Sequence, residues 1–333
     1  GEQKSAENNI EKILNEMKAL ISSIASVLRA FPNFRGKHRL GKMIESVTGP
    51  INKWEDTEVK IKMKEGFYMT IDVRSGTHHG TFWTGNYDSA LIRKFITLLS
   101  PDDIILDIGS NIGCYAVPFA KYLKEVGGKG KVYCFEPVHA NFAALSKNIE
   151  DNLLNEHAVL YNNALGEKDG VIEMLIIEKG KTSNAVMNLS KDYAATGNFI
   201  KESAPVKKMD DFYVNENIPS CNFIKIDIEG AEIFFIQGGI TFLSKFRPLI
   251  YGEFNSYFLE KFGYTFMDIW SLMEPLGYSC YKQIGKKPFF ESVQPTKGLN
   301  NMLLVPAGYN TQQLVDAGLI HKVYDVVRKE LYQ

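Results

Sequence analysis

The segment IILDIGSNIG, residues 104–113, decides the fold of this 333-residue chain. Its apolar first half predicts a buried strand that reaches Asp107, and Gly109 and Gly113 predict a turn. Residues 114–123 then follow the pattern of a helix. A strand, a glycine turn and a helix in this order present backbone N–H groups to a nucleotide-like ligand at the edge of an α/β sheet. The segment therefore predicts an α/β protein with a nucleotide-binding turn.

The spacing of the glycines separates two classes of ligand. A dinucleotide fingerprint, G-x-G-x-x-G, would need glycine at the positions of Asn111 and Cys114. No P-loop lysine follows the turn either. The pattern formed by Asp107, Gly109, Asn111 and Gly113, D-x-G-x-N-x-G, instead resembles the nucleotide turn of methyltransferases that use S-adenosylmethionine (SAM).

A second strand, residues 131–137 with the sequence KVYCFEP, ends at Glu136. An acidic residue roughly 20 positions beyond the glycine turn is placed to accept hydrogen bonds from ribose hydroxyls. NAD enzymes share this feature, and an ordinary carboxylate at a strand end would look the same. Together with the glycine turn, Glu136 predicts a ribose-binding position.

Composition limits the classes of function. The chain is 45% hydrophobic and its net charge is −1, so nothing in the total predicts a nucleic-acid partner. One local basic run could contact an anionic partner, but we interpret it as a solvated connector after a helix. Its members are Arg35, Lys37, His38, Arg39 and Lys42.

Four cysteines, none in a C-x-x-C pair, predict reduced thiols and a cytoplasmic protein. They are Cys114, Cys134, Cys221 and Cys280. The sequence shows no recognisable signal peptide and no apolar run of about 18 residues, so we expect no transmembrane segment.

Residues 10–31 predict a helix with a narrow apolar stripe of heptad spacing. The stripe consists of Ile10, Leu14, Met17, Ile21, Ile24, Leu28 and Phe31. This helix either packs on its own domain or pairs with its copy in a homodimer, and the sequence does not separate the two. A role at a membrane surface is disfavoured because the polar face of the helix carries few basic residues.

Alternating apolar positions over residues 57–73, interrupted by Gly66, predict a β-hairpin or two edge strands. His78 and His79 follow in a glycine-rich segment and are interpreted as exposed turn residues, with a role as catalytic base as the alternative. A helix is predicted over residues 88–99.

From residue 104 to 255 short apolar strands alternate with helices, which predicts a parallel sheet covered on both faces. The predicted strands are 104–108, 131–136, 158–163, 171–178, 223–227 and 249–253. The predicted helices are 113–124, 139–151 and 230–243. Residues 179–204 predict a long polar loop, of the kind that often forms a lid. The tail predicts a helix near 264–275, strands near 278–284 and 301–305, and a helix at 320–331.

Residues 223–232, FIKIDIEGAE, predict a further strand that ends at Asp227 and a helix that begins near Gly230. Lys225 and Asp227 share one face of this strand. A lysine in a buried strand is costly unless it is paired. Its predicted partner is Asp227, Glu229 or Glu232.

These motifs together resemble the FkbM family of SAM-dependent methyltransferases. The segment KIDIEGAE is the most distinctive stretch, and the resemblance covers roughly residues 57–255. Other matching segments, in chain order, are Gly85-Asn86-Tyr87, residues 107–113, Phe135-Glu136-Pro137, Asn163-Ala164-Leu165-Gly166, Val206-Lys207-Lys208-Met209-Asp210 and Pro248 to Glu253. The resemblance implies a Rossmann-like class I methyltransferase with a mostly parallel, seven-stranded sheet and helices on both faces. An N-terminal helix and a β-hairpin extend it.

The resemblance also implies which residues bind SAM. The glycine turn would surround the methionine part, Glu136 the ribose, and Asn163 with Ala164 the adenine. Tyr87 would close over the cofactor, and Asp227 would lie near the sulfonium and the acceptor. The full implied set is Tyr87, Asp107, Gly109, Ser110, Asn111, Gly113, Glu136, Pro137, Asn163, Ala164 and Asp227.

Methyl transfer to a hydroxyl requires orientation of the acceptor and a group that makes its oxygen nucleophilic. The first candidate base is Asp227 and the second is Glu229; Lys225 and Glu253 complete the predicted catalytic set. Asp227, Glu253 and Asn255 also resemble the magnesium site of catechol-type methyltransferases, and their oxygens suit Mg²⁺. We favour a reaction without a metal.

The predicted function is therefore SAM-dependent O-methylation of a hydroxyl on a sugar, glycan or secondary metabolite. An NAD-linked oxidoreductase and a catalytically inactive binding module on the same fold are the alternatives. We divide the chain into a helical extension at 1–50, a methyltransferase domain at 51–310 and a C-terminal helix at 311–333. The sequence does not identify the methyl acceptor.

Overall fold

A computed structural model describes residues 2–32, 34, 36–54, 57–177, 185–187, 199–298 and 300–321. Most of the predicted loop at 179–204, and all but the start of the predicted helix at 320–331, lie outside these residues. Within the described part, no helix is both long and apolar enough to cross a membrane.

The described residues form the following strands and α-helices. The strands are β1 (Glu58–Lys62), β2 (Tyr68–Asp72), β3 (Ile104–Ile108), β4 (Lys131–Phe135), β5 (Ala158–Tyr161), β6 (Ala164–Gly166), β7 (Gly170–Ile177), β8 (Ala185–Met187), β9 (Phe199–Lys208), β10 (Phe223–Ile226), β11 (Leu249–Glu253), β12 (Tyr278–Gln283), β13 (Phe290–Ser292) and β14 (Asn301–Pro306). The helices are α1 (Glu2–Ala30), α2 (Lys37–Thr48), α3 (Gly76–Thr84), α4 (Ser89–Ile96), α5 (Ala116–Glu125), α6 (His139–Asp151), α7 (Met209–Asn215), α8 (Glu232–Gly238), α9 (Ile240–Phe246), α10 (Ser256–Lys261), α11 (Phe266–Met273) and α12 (Thr311–Asp316).

The central sheet has eight strands in the order β13-β12-β14-β11-β10-β3-β4-β5. Strands β11, β10, β3, β4 and β5 run parallel to one another. Strands β14, β12 and β13 extend the sheet beyond β11, and each is antiparallel to its neighbours. Along β3, Ile105 packs into the apolar cluster on one face and Leu106 into the cluster on the other. Because both faces are covered, the central strands are mostly apolar, and Asp107 of β3 and Lys225 of β10 are exceptions near their carboxyl ends.

This architecture confirms the predicted α/β class with a mostly parallel sheet and helices on both faces. Strand β13 adds an eighth member to the seven predicted. The predicted strand at 171–178 corresponds to β7, which belongs to a second sheet of order β6-β9-β7-β8. Strand β9 begins at Phe199, so the end of the predicted loop at 179–204 is wrong.

Two predicted helices differ in their bounds. The helix expected from residue 113 begins at Ala116, because the turn that includes Gly113 continues to Tyr115. The helix expected at 230–243 is two short helices, α8 and α9, that meet at Gly238 and Gly239. A Cβ on Gly238 would lie 2.0 Å from the carbonyl oxygen of Gly166, so β6 passes directly against the break.

The N-terminal region contains three helices where the sequence predicted one. Helix α2 replaces the connector expected for the basic run, and α3 replaces the glycine-rich turn expected around His78 and His79. Both expectations are wrong because tertiary packing stabilises short helices: Gly41 of α2 lies directly under the Trp83 ring of α3. Of the predicted stripe on α1, Ile21 is buried in the core but Phe31 is exposed.

The predicted hairpin forms, with β1 and β2 paired antiparallel. Two asparagines, Asn148 in α6 and Asn152 directly after it, attach the hairpin to the domain. Asn148 accepts from the Thr70 N–H and donates to the carbonyl oxygens of Thr70 and Ile112. Asn152, one turn later, makes the same pair of bonds to Tyr68 at the surface. Asn148 therefore links the hairpin to the glycine turn, since Ile112 belongs to that turn.

Replacing Asn148 with alanine should lower the free energy of unfolding by about 2–4 kcal/mol, because three buried backbone groups lose their partner. Asn152→Ala is the matched control and should cost about 1 kcal/mol or less, since water replaces the lost bonds at the surface. Urea unfolding followed by circular dichroism measures both. Equal losses in the two variants would contradict the assigned role of Asn148.

Candidate functional site

A cavity of about 620 Å³ opens at the carboxyl ends of the parallel strands. One wall is the turn after β3, residues 109–111, and another is the end of β4 with Glu136 and Pro137. The turn after β10, residues 227–229, forms a third wall, and Asn163 with Ala164 lies at the far end. Ligands of open α/β sheets bind at this edge.

The glycine turn and the turn after β10 touch each other. Gly109 has φ 76°, and a Cβ on it would lie 2.0 Å from the carbonyl oxygen of Asp227. No other residue type fits this position without moving a backbone. Asn111 has φ 51°, a left-handed conformation that asparagine tolerates better than most residues. The turn after β3 and the turn after β10 are thus in direct contact. Together they form the part of the cavity surface that we call its floor.

Glu136 is 4% exposed and its carboxylate organises the glycine turn. One oxygen accepts from the Asn111 N–H at 2.8 Å, and the other accepts from the Val138 N–H and the Asn141 amide. Burial raises the pKa of Glu136 to about 7, although these hydrogen bonds oppose the shift. A carboxylate can accept about four hydrogen bonds, so Glu136 retains acceptor capacity toward the cavity.

Lys225 lies at the centre of the floor and is 6% exposed. Its Nζ lies 3.8 Å from a carboxylate oxygen of Asp107, 3.7 Å from one of Asp227, and donates to the Gly109 carbonyl at 3.2 Å. Burial lowers the pKa of Lys225, but the nearby acidic groups, Asp227 and Asp107 first, outweigh it and leave the pKa raised. Lys225 is therefore a permanent cation.

Asp107 is fully buried behind the floor and does not line the cavity. Among the described residues, neither of its carboxylate oxygens has a hydrogen-bond partner. Burial raises its pKa, and the charge of Lys225 acts in the opposite direction. The sequence had paired Lys225 with Asp227, Glu229 or Glu232. Asp227 fits that prediction, and Asp107 is the partner it missed.

Three carboxylates meet at one end of the cavity, those of Asp227, Glu229 and Glu253. Burial, with the charges of Asp227 and Glu253, raises the pKa of Glu229 to about 7. The pKa of Glu253 is also raised, first by burial and then by Asp227. Glu229 has φ 54°, an uncommon backbone conformation for glutamate, which marks the turn as strained.

Glu232 and Gly230 shape the same turn from below. Glu232 is fully buried and accepts from the N–H groups of Ile228 and Gly230, so it stabilises the turn rather than pairing with Lys225. Burial raises the pKa of Glu232 to about 8. A Cβ on Gly230 would lie 2.7 Å from the backbone of Phe258, so this glycine lets α10 close one side of the cavity.

Aromatic rings line the cavity near the carboxylates. Tyr87 and Tyr115 contact each other edge to face at 6.3 Å, and the Tyr115 hydroxyl donates to Asp88. Phe234 of α8 and Phe258 of α10 also line the wall. Tyr87 carries the resemblance to the family, whereas the other three rings show no motif in the sequence.

His78 contributes a polar group to the cavity wall, whereas the sequence was interpreted as placing it in an exposed turn. It is 2% exposed, lies on α3 and lines the cavity, and its Nδ1 has no hydrogen-bond partner in the described chain. Burial lowers the pKa of His78 to about 4, so the ring is neutral near pH 7. His79 points elsewhere, to Glu45 of α2 at 3.0 Å. No local pattern distinguishes the two histidines.

Most of the predicted site residues line this one cavity. The lining set includes Tyr87, Gly109, Ser110, Asn111, Glu136, Pro137, Asn163, Ala164, Lys225, Asp227, Glu229 and Glu253. Asp107, Gly113 and Asn255 do not line it. A Cβ on Gly113 would meet Leu145 and Val117, and the Asn255 side chain accepts from the Tyr257 N–H at the start of α10.

Within the described residues, no group of three or more His, Cys, Asp or Glu side chains is arranged to hold a metal ion. The predicted magnesium candidates Asp227 and Glu253 share the cavity, but Asn255 is used as a helix cap. The four cysteines are free thiols; three are buried and Cys114 is half-buried.

The chain is similar in sequence to known methyltransferases. The sequence profile described as Methyltransferase FkbM domain matches residues 107–280, more than half of the chain. A 2-O-methyltransferase, NoeI of Sinorhizobium fredii, is 26% identical over 209 residues, which cover 60% of this chain and 82% of that protein. Methyltransferase 1 of Beauveria bassiana is 26% identical over 155 residues, 41% of this chain and 59% of that protein.

Among solved structures, the FkbM methyltransferase from Methylobacillus flagellatus is 17% identical with a TM-score of 0.39. The alignment covers 62% of this chain and 44% of that one, so the chain spans less than half of that protein's length.

Replacing Lys225 with methionine should lower the free energy of unfolding by about 3–5 kcal/mol near neutral pH, because Asp107 is left as a buried, uncompensated carboxylate. The Asp107 pKa is already raised and would rise further. A raised carboxyl pKa favours the folded state at low pH and loses that contribution as pH increases through it. The deficit relative to the unmodified protein should therefore be larger at about pH 8 than at about pH 5.

Two controls accompany Lys225→Met. Adding Asp107→Asn should recover part of the lost stability, since the uncompensated charge is removed. Lys201→Met breaks an exposed pair with Glu173 at 2.9 Å and should cost about 0–1 kcal/mol. Urea unfolding at the two pH values measures all of these variants. A deficit that does not change with pH would contradict this account of Asp107.

Proposed function

The chain belongs to the FkbM family of SAM-dependent methyltransferases, and on that premise we propose that it methylates a hydroxyl of a neutral, sugar-like acceptor. As a SAM-dependent methyltransferase it is an enzyme of the class predicted from residues 104–113. The family match replaces the NAD-linked oxidoreductase and the inactive binding module as interpretations. The acceptor and the roles of individual residues are the parts that we propose here.

The residues of the cavity fit SAM. The floor formed by the two turns lies where the methionine part would be held, and Glu136 retains acceptor capacity for ribose hydroxyls. Asn163 and Ala164 lie at the far end, in position to flank an adenine. SAM supplies an electrophilic methyl group on a sulfonium. A region rich in carboxylates and aromatic faces favours such a cation.

We propose Glu229 as the general base, which reverses the order predicted from the sequence. Asp227 forms an ion pair with Lys225 at 3.7 Å, so its carboxylate is engaged in neutralising that ammonium. The pKa of Glu229 is about 7, which is near the ideal for a base that works at neutral pH. Glu229 would accept the proton of the acceptor hydroxyl, and Lys225 would hold Asp227 and the floor in place.

The charge of this end of the cavity disfavours an anionic acceptor. Asp227, Glu229 and Glu253 face the space beside Phe234 and Phe258. Carboxylates accept hydrogen bonds from hydroxyls, aromatic rings cover apolar faces, and together they suit a polyol such as a sugar. An anionic acceptor would be repelled. The Glu229 carboxyl beside the Lys225–Asp227 pair is the observation that carries the proposal.

We also propose further features of the chain. These are the division at residues 50 and 310, a cytoplasmic location, and a glycan rather than a secondary metabolite as acceptor. A homodimer through the N-terminal helix stays a prediction, and light scattering tests it. We propose a reaction without a metal, and transfer rates measured with EDTA and with Mg²⁺ would test this. Mass spectrometry of neutral and anionic sugars after incubation with SAM would test the acceptor class. Methylation of anionic sugars alone would contradict it.

The protein should bind S-adenosylhomocysteine, and Glu136→Gln should weaken binding about tenfold or more, because a charged acceptor of ribose hydroxyls is lost. Affinity should also fall as the pH is lowered through about 7, where Glu136 becomes protonated. Isothermal titration calorimetry measures both effects. Glu274→Gln changes an exposed carboxyl outside the cavity and should bind normally. Absence of binding to the unmodified protein would overturn the proposed cofactor site.

The pH profile of transfer should identify the base. With SAM saturating, kcat should rise through about pH 7 to a plateau, since Glu229 must be deprotonated. Glu229→Gln should lower kcat by about 10²–10⁴-fold and remove this rise. Glu260→Gln alters an exposed carboxyl on α10 and should leave the profile unchanged. If Asp227→Asn removes the rise and Glu229→Gln does not, the base is Asp227.

A further inference from the structure

The N-terminal helices carry a concentration of positive charge that the function described above does not use. Residues 17–44 contain six lysines and arginines and no aspartate or glutamate. The six are Lys18, Arg29, Arg35, Lys37, Arg39 and Lys42. The first carboxylate after them, Glu45, faces inward and accepts from the Trp83 indole at 2.7 Å. Lys37 is buried and Arg29 donates to the Phe82 carbonyl, so Arg39 and Lys42 of α2 are the described basic side chains that are exposed in this stretch.

Large apolar side chains are exposed in the same region. On α1 and the connection to α2 they are Leu20, Val27, Phe31 and Phe34, with 57%, 59%, 57% and 51% of their surface exposed. On α2 they are Met43 and Val47, at 61% and 85%. Monomeric proteins rarely expose several large apolar residues close together, and such patches mark interaction sites.

Helical spacing places these residues on defined faces. The exposed positions of α2 are Arg39, Lys42, Met43, Ser46 and Val47, which is one face at spacings of three and four. On α1 the exposed positions from 19 to 31 also form one face, and none of them is charged. The end of α1 is fixed to the start of α2 at Phe31, whose carbonyl accepts from the ammonium groups of Lys37 and Lys64.

We propose that this surface docks the enzyme onto an anionic lipid membrane. A second copy of the chain is a poorer occupant, because a two-fold interface through α2 would bring Arg39 and Lys42 of both copies together. Nucleic acid offers phosphates for the basic residues but no apolar layer for Leu20, Val27, Met43 and Val47. A bilayer interface provides both anionic headgroups and an apolar boundary.

Helix α2 supplies exposed basic residues beside the apolar face. The sequence disfavoured a membrane role because the first helix alone carries few basic residues. Helix α2 was interpreted as a connector, and it adds Arg39 and Lys42 beside the apolar residues. The inference is independent of the proposed acceptor and of the base, since none of these residues lines the cavity.

The test is co-sedimentation of the full chain with vesicles. Vesicles of phosphatidylcholine with about one-third phosphatidylserine should bind the protein, vesicles of phosphatidylcholine alone should bind it weakly, and added salt should release it. Arg39→Glu with Lys42→Glu should reduce partitioning by about tenfold or more. Lys129→Glu with Lys131→Glu changes net charge equally at two exposed lysines elsewhere and should have little effect.

A second pair of variants tests the apolar part. Phe31→Ser with Phe34→Ser should also lower binding to the anionic vesicles, whereas Val171→Ser with Ile200→Ser, at exposed positions of β7 and β9, should not. Circular dichroism checks that each variant is folded. Equal binding to both kinds of vesicle, no binding to either, or binding indifferent to Phe31 and Phe34 would overturn the proposal. A dimer by light scattering that Phe31→Ser with Phe34→Ser dissociates, without vesicle binding, would assign the surface to a second copy.

Discussion

One buried ammonium group holds the functional end of this protein together. Lys225 reaches from the central strand β10 to Asp107 on the neighbouring strand, to Asp227 in the turn that follows β10, and to the carbonyl of Gly109. It therefore connects the glycine turn to the turn after β10. A lysine in this position is stable only because carboxylates surround it, and a carboxylate such as Asp107 is tolerated only because the lysine is present.

The close approach of the two turns explains several residues that otherwise look unrelated. Gly109 is required because its neighbour is the backbone of Asp227, and Gly230 because its neighbour is the backbone of Phe258. Glu136 and Glu232 each bind N–H groups of a turn from behind. Because Glu136 and Glu232 are buried, the pKa values of their carboxyl groups rise toward neutrality. The packing that shapes the cavity thus also sets the proton chemistry available within it.

The N-terminal region has a different relation to the site. Helix α3 places His78 in the cavity wall while the adjacent His79 bonds to α2, so the helices contribute to the pocket as well as to the surface. Ile21 and Ala25 of α1 are buried in the same apolar cluster as the central strands. The outer faces of α1 and α2 remain apolar and basic. Helix α3 therefore closes one side of the cavity, while α1 and α2, which pack against α3, present an unused surface outward.

The sequence by itself determined the α/β class, the glycine turn, the acidic end of β4 and the family, because these depend on short patterns of adjacent residues. Tertiary structure alone decided that Asp107 lies behind the cavity and pairs with Lys225, and that His78 lines the wall. It also decided that Glu229 has a pKa near 7 and that α2 is a helix. Burial, charge pairing and packing between distant segments control these features, and such contacts leave no periodicity along the chain.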